Sequence, residues 1–231
     1  MDMAVRTGAW SPSGAPLPYD AEVEYLQSTG TQCIETTYYA SFNASIECCF
    51  ANNSNETYKS VFGTTLTKAT VGNRYQLTCQ MVSGGLRYDY PYGNDPNKNS
   101  QYDAFTYPLY STSSRDFVTI KISPEGCYFN GALVGTFSRT RPIARFLSPL
   151  YVFALGTIDQ AQYRKKYGQT IRAKIKYVIV KESDVVVLHL IPIRFTNENG
   201  VSEGAMYDRV SGQLFRNAGT GAFIIGPDKT T

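Results

Sequence analysis

The sequence predicts an all-β protein built as a two-sheet antiparallel sandwich, and three observations lead to that prediction. Short runs alternate apolar and polar residues with period two, turn-forming residues separate these runs, and no segment longer than ten residues has a convincing helical period. A length of 231 residues suits one large β-domain. We expect an extended N-terminal arm over residues 1–20 and the sandwich over residues 21–231.

A three-strand antiparallel meander is the clearest element. Val118–Ile122 alternates apolar with polar residues, and Ser123–Gly126 forms a turn. Cys127–Phe129 then leads into Asn130-Gly131, a pair typical of hairpins because both turn residues need positive φ. Ala132–Phe137 is the predicted return strand.

A second predicted hairpin turns at Glu182–Asp184. Before the turn, the alternation of residues predicts a strand with one solvent-exposed face and one buried face. The exposed face would hold Arg172, Lys174 and Lys176, and the buried face Ile171, Ala173, Ile175, Tyr177 and Ile179. After the turn, Val185–Ile193 is apolar on both faces, which predicts a central strand covered on both sides. Ala205–Val210, Gln213–Arg216 and Ala222–Ile225 are predicted as the last strands.

Composition and charge narrow the function classes. The net charge is only +3 and basic residues are not concentrated, so we expect no nucleic-acid partner. No run approaches the length of a membrane span, and Met1–Tyr19 does not resemble a secretory signal, so we expect no membrane insertion. This first segment is rich in Gly and Pro, and Trp10 is its candidate anchor.

The five cysteines show neither a disulfide framework nor a zinc motif. Alternation places Cys48 with Ile46 and Phe50 on a buried face, and Cys79 with Leu77 and Met81. We therefore interpret the cysteines as small core residues of a chain folded under reducing conditions.

Three motifs carry a family resemblance. Glu24–Gln32 (EYLQSTGTQ) resembles the opening strand of concanavalin A-like, laminin-G-like domains, which occur in phage structural proteins and in surface proteins of gut bacteria. Tyr151–Leu155 resembles their central strand, and Gly204–Gly221 (GAMYDRVSGQLFRNAGTG) resembles their closing motif. The resemblance implies a jelly-roll sandwich, and it is less specific for function because this architecture hosts many.

The sequence lacks the residue patterns that are typical of catalytic sites. Glycosidases of this broad fold place paired carboxylates on one strand, whereas Glu182 and Asp184 lie in a turn without a third acid. His189 is the only histidine, and its apolar surroundings favour a packed strand residue over a triad or zinc site. We expect no enzyme activity, no cofactor and no metal, although Asp89, Asp95 and Asp103 are conceivable calcium ligands.

Arg87–Tyr110 is the segment from which we choose candidate binding residues. It holds six of the 18 tyrosines, with Pro, Asn and Asp between them. Aromatic rings can stack on sugars while Asn and Asp bond the hydroxyls, but a protein interface and plain loop packing also fit. Because Tyr88, Tyr90 and Tyr92 are each two residues apart, an extended strand would place all three rings on one side, and we expect that side to be exposed. The candidate contact residues for a glycan or partner are Tyr88, Tyr90, Tyr92, Asn94, Asp95, Tyr102, Asp103 and Tyr107.

The leading functional hypothesis is a non-catalytic bacteriophage virion protein. It would decorate the capsid, form part of a head fibre or associate with the tail, and it would mediate surface attachment with a host glycan as a candidate ligand. The expected partners are other virion proteins, contacted through the arm, and further copies of the chain in a homo-oligomer. The alternative is a carbohydrate-binding lectin or adhesin module on a gut-bacterial surface.

Overall fold

The structure is a computed structural model, and it describes residues 16–41, 43–67, 74–91, 102–108, 110, 115–137, 146–159 and 164–230. The described residues are all-β: they form two packed sheets and contain no helix. The predicted anchor Trp10 and most of the arm lie outside the described residues. No described segment is a helix of the length and apolarity needed to cross a membrane.

The first sheet has the strand order β11-β10-β9-β4-β15-β16-β17-β18; in addition, β1 pairs with β16, β2 pairs with β15, and β19 pairs with β2. Its strands have the following bounds: β1 Ala21–Glu22, β2 Leu26–Gln27, β4 Ala44–Asn52, β9 Val118–Ser123, β10 Gly126–Phe129, β11 Ala132–Gly135, β15 Ala173–Glu182, β16 Val185–Thr196, β17 Ser202–Asp208, β18 Leu214–Phe215 and β19 Ile224–Ile225.

The second sheet has the order β14-β13-β5-β6-β7-β8, with β12 on β5 and β3 on β12. Its strands have the following bounds: β3 Ile34–Glu35, β5 Lys59–Thr67, β6 Arg74–Val82, β7 Gly85–Pro91, β8 Tyr102–Tyr107, β12 Tyr151–Val152, β13 Leu155–Asp159 and β14 Arg164–Gly168.

The main core lies between the sheets, where the inner side chains of both meet. The first sheet contributes Ile46, Phe50 and Ile120, and the second contributes Leu77 and Met81, all fully buried. Cys48 and Cys79 belong to this core as predicted. All five cysteines are buried and none is in a disulfide. Burying this apolar surface is the principal force holding the sheets together.

The predicted meander is confirmed as β9, β10 and β11. Asn130 and Gly131 form the β10–β11 turn with φ of 49° and 81°, the positive values that this hairpin requires. The second hairpin is also confirmed, with Ser183 and Asp184 as its turn residues.

The predicted buried face of β15 is wrong beyond Ile175. A β-bulge between Ile175 and Tyr177 puts an extra residue, Lys176, into the strand opposite β4. Because one inserted residue shifts the alternation, Val178 and not Tyr177 points into the core. Lys176 and Tyr177 therefore both lie on the outer face of the first sheet.

The predicted central position of the strand after Asp184 is confirmed. This strand, β16, pairs with β15 on one side and β17 on the other. Its outer residues form a second apolar cluster, and Leu17 and Tyr19 pack against that cluster. The ring of Tyr19 meets the edge of Tyr207 at a centroid distance of 5.0 Å. The end of the predicted arm thus covers the outer face of the first sheet.

The segment predicted as one central strand is two strands. Phe153 has φ of 64°, and the chain reverses there between β12 and β13. As a result β12 runs antiparallel to β5, whereas β13 meets β5 in parallel at Gly156 and Thr64. The ring of Phe153 is fully buried and lies 5.2 Å from that of Phe223, so core packing holds this reversal in place.

Candidate functional site

The structure places Tyr88 and Tyr90 in the core, and the expectation that their rings are exposed is wrong. Their side chains are 0 % and 3 % exposed. The hydroxyl of Tyr88 donates to the carbonyl of Tyr128 at 3.2 Å, and that of Tyr90 donates to the carbonyl of Ala44 at 3.0 Å. The two residues do share a parity, as predicted, but the shared side faces the first sheet because large apolar rings are the cheapest groups to bury.

The other candidate residues divide between described and undescribed parts of the chain. Tyr107 lies on the inner side of β8, with its ring 4.7 Å from that of Phe129. Asp103 lies opposite Tyr90 in the β7–β8 register, and Tyr102 lies opposite Pro91. The structure does not test these positions as contacts. Tyr92, Asn94 and Asp95 lie outside the described residues.

A polar network occupies the outer face of the second sheet, on the opposite side of β7 from the tyrosines. Asp89 is its centre, and this carboxylate is fully buried. One carboxylate oxygen accepts hydrogen bonds from the amides of Gln76 at 2.9 Å and Gln80 at 2.8 Å. The other accepts a bond of 2.7 Å from Nε of Arg87. We call Gln76, Gln80, Arg87 and Asp89 the Asp89 network.

The strand register brings these four residues together. Asp89 pairs with Thr78 across β6 and β7, which puts Gln76 and Gln80 two residues to either side of its partner. Arg87 precedes Asp89 by two residues and therefore shares its face. An ionised carboxylate is costly to bury unless charge and hydrogen bonds compensate it, and the two amides and the guanidinium supply that compensation.

The network reaches the surface at Arg87, whose side chain remains 31 % exposed. On the neighbouring strand β8, Ala104 lies opposite Asp89 and Thr106 lies opposite Arg87, and both are exposed. Arg87 and Thr106 thus lie at the border of the Asp89 network, whose other side chains are buried. Such an arrangement can hold the arginine in one orientation before a ligand arrives.

Sequence reasoning missed Gln76 and Gln80 although their signal was present. Both alternate with the core residues Leu77, Cys79 and Met81, so the period of two already puts them on the outer face. For Asp89, the sequence indicates only a conceivable calcium ligand. The two-residue connection Ser83-Gly84 is a further signal, since a short turn with glycine predicts that β6 and β7 pair as a hairpin and bring the glutamines to this aspartate.

Metal-ligating side chains are scattered in the described part of the chain. There, no group of three or more His, Cys, Asp or Glu side chains could hold a metal ion. His189 lies in β16 of the first sheet, where its backbone N–H donates to Asp208 at 2.8 Å. Burial and the charge of Arg209 lower the pKa of its imidazole below the usual value.

The buried Asp208 organises the turn within the closing motif. Its carboxylate also accepts hydrogen bonds from the N–H of Val210 and from the N–H and hydroxyl of Ser211. This aspartate therefore caps a turn, which gives the motif residue a structural role.

Comparison with known proteins leaves the family open. No protein-family model matches the chain, and no curated protein matches it.

Proposed function

We propose that this chain is a non-catalytic attachment module that binds a glycan through the outer face of its second sheet. The observation that carries the proposal is the Asp89 network, a fully buried carboxylate held by two amides and an arginine. Two-sheet packing does not require a charge on an outer face, and a buried ion pair is weak as a device for stability. Its use is to fix the exposed arginine at the surface.

The residue types around this surface suit a sugar. Glycans present hydroxyl groups that both donate and accept hydrogen bonds, and Thr106 offers a donor and an acceptor beside the guanidinium of Arg87. Ala104 leaves room beside this pair, since its side chain is one methyl group. A pre-oriented guanidinium loses little conformational entropy when it binds, which favours weak ligands such as single sugars.

We further propose the concanavalin A-like jelly roll as the topology of this sandwich. The support is the way in which the opening and closing motifs meet: Thr31 donates its hydroxyl to the carbonyl of Thr220, and the backbone N–H of Thr220 donates to the carbonyl of Thr31. Motifs at the two ends of the chain act as one structural unit, as a family-wide fold signature would.

The proposed setting is a bacteriophage virion, as a capsid-decorating, head-fibre or tail-associated protein. Five buried free thiols suit a chain that folds in a reducing cytoplasm and works outside the cell later. The partners in this proposal are a host surface glycan, other virion proteins contacted through the arm, and further copies of the chain. A lectin module on a bacterial surface would use the same face for the same chemistry.

The binding site is tested by glycan-array screening of wild-type protein, Arg87→Gln, Thr106→Ala and the control Arg216→Gln. Arg216 is exposed on the first sheet, where its guanidinium lies over Phe195. We expect the two second-sheet variants to weaken glycan binding by about tenfold or more and the control to leave it unchanged. If Arg87→Gln binds the glycan like wild type and has the same melting temperature, the Asp89 network has only a structural role, and the proposal is overturned.

The setting is tested separately by the genes that flank the coding sequence. Capsid, portal or tail genes on either side support the virion. A neighbouring cell-wall sorting system, together with glycan binding by the isolated chain, would transfer the proposal to a bacterial surface lectin.

A further inference from the structure

The outer face of the first sheet carries two lysines on two aromatic rings. The ammonium group of Lys174 lies 4.6 Å from the ring centre of Tyr25, and that of Lys176 lies 4.3 Å from the ring centre of Phe117. The two rings are themselves 6.0 Å apart. We call Tyr25, Phe117, Lys174 and Lys176 the lysine–aromatic patch.

The β-bulge of β15 changes which side chains lie beside this patch. Without the extra residue, Lys174 and Lys176 would still share a face, but Tyr177 would point into the core. With the bulge, Tyr177 joins the outer face and donates its hydroxyl to Glu47 at 3.0 Å. Bulges commonly re-aim side chains next to binding sites. Here the bulge brings the phenol of Tyr177 to the carboxylate of Glu47 beside the two cations.

The charges of the two patch lysines are not paired with an acidic side chain in the part of the chain that the structure describes. Within the described residues, neither Lys174 nor Lys176 forms an ion pair, whereas Glu22, Asp89 and Asp228 each pair with a basic residue. The rings hold the two ammonium groups in place through cation–π attraction without neutralising their charge. A lysine restrained in this way loses less conformational entropy when an anion arrives than a freely rotating one does.

We propose that the lysine–aromatic patch binds an acidic polysaccharide. Its acid groups would meet Lys174 and Lys176, and its hydroxyls would meet Tyr177, Glu47 and Thr119, which lie beside them on the same face. Two lysines beside a glutamate are too few for the phosphate backbone of a nucleic acid, which needs a broad basic surface. The proposal goes beyond the second-sheet glycan site and does not depend on it.

The test is a titration of the full chain with polygalacturonate, which carries carboxylates, with dextran sulfate, which carries sulfates, and with neutral dextran. We expect at least one of the acidic polymers to bind, with an affinity that falls as salt is added, and neutral dextran not to bind. Lys174→Gln combined with Lys176→Gln should weaken binding about tenfold. The control Lys59→Gln combined with Lys181→Gln makes the same change in net charge elsewhere and should have a much smaller effect.

Phe117→Leu separates a positioned lysine from charge alone. It keeps the net charge and removes the ring under Lys176, so it should weaken binding if the ring holds the lysine. Equal loss in the two double variants, or binding of a single-stranded DNA oligonucleotide in preference to both polymers, would overturn the proposal. Arg87→Gln should bind the acidic polymer like wild type. Failure of the second-sheet glycan site can therefore be told apart from failure of the lysine–aromatic patch.

Discussion

The side-chain oxygen of Asn217 accepts a hydrogen bond of 3.2 Å from the backbone N–H of Cys33, a residue 184 positions earlier in the chain. The same oxygen accepts a bond from the N–H of Gly219, and the Asn217 amide donates to the carbonyl of Gly221. One side chain therefore shapes the closing loop and ties it to the opening loop.

Removing the Asn217 side chain should destabilise the protein. Asn217→Ala removes three hydrogen bonds of a partly buried side chain, and we expect a loss of about 1–3 kcal/mol in the free energy of unfolding. Urea denaturation measures this loss. Asn53→Ala, an exposed asparagine after β4, is the control and should change stability by less than about 0.5 kcal/mol. Similar values for both variants would show that the loops are not coupled.

Gly219 makes the contact between the two loops possible. A Cβ at this position would lie 2.1 Å from the carbonyl oxygen of Thr31, which is backbone and cannot move aside cheaply. Gly219→Ala should therefore force the loops apart and destabilise the fold by at least about 1–3 kcal/mol, the usual cost of overpacking. Gly200→Ser would be an unsuitable control, because the backbone φ of Gly200 is positive and a side chain there would add strain. The control is therefore Ala222→Ser, which changes an exposed position. A wild-type urea midpoint for Gly219→Ala would contradict the close approach.

Tyr88 should behave as a core residue. Tyr88→Ala removes a fully buried ring and is expected to cost about 3–5 kcal/mol. Tyr88→Phe removes only the hydroxyl that donates to Tyr128 and should cost about 1 kcal/mol. The control Tyr58→Ala cuts a ring that is 60 % exposed and should cost less than about 0.5 kcal/mol. Thermal and urea unfolding measure the series, and a stable Tyr88→Ala variant would place the ring at the surface after all.

The five thiols should be unreactive in the native protein. Burial raises the pKa of Cys33 and of Cys127 to about 12, and it raises the pKa of Cys48 and Cys79 well above the usual value. At about pH 8 the native thiols therefore stay protonated, and only a thiolate reacts with iodoacetamide. Mass spectrometry should find almost no alkylation in the native state and five modified cysteines after denaturation without reductant. A pair that resists alkylation in the denatured chain would reveal a disulfide.

His189 should make stability depend on pH. Burial and the charge of Arg209 lower the pKa of its imidazole below the ordinary value of 6.5, so the folded state favours the neutral ring. The unfolded chain binds the proton more readily, so this contribution is present above about pH 6.5 and is lost as pH falls through the folded-state pKa. Urea unfolding at about pH 7.5 and about pH 5 should show a smaller loss for His189→Gln than for wild type. An equal loss in both proteins would assign the pH dependence to the carboxylates.

The sequence by itself determined the local elements. Period-two alternation and the Asn130-Gly131 pair specified the meander. They could do so because the pleat of a strand and the conformation of a tight hairpin turn depend on residues that are neighbours in the sequence. The burial of Cys48 and Cys79 followed from the same alternation. The apolar character of Val185–Ile193 on both faces predicted its central place, since both faces of that strand need cover.

Only the tertiary structure decided which face of β7 meets the core. The alternation of side chains along a strand puts Tyr88 and Tyr90 on one side of β7 and Asp89 on the other. It does not show which side faces the core, because both sides carry groups that can form hydrogen bonds. The second sheet settles it, because β6 brings Gln76 and Gln80 to Asp89 and the first sheet offers the tyrosines an apolar surface. The bulge at Lys176 is likewise a product of pairing with β4, and a single strand's sequence does not encode its partner's register.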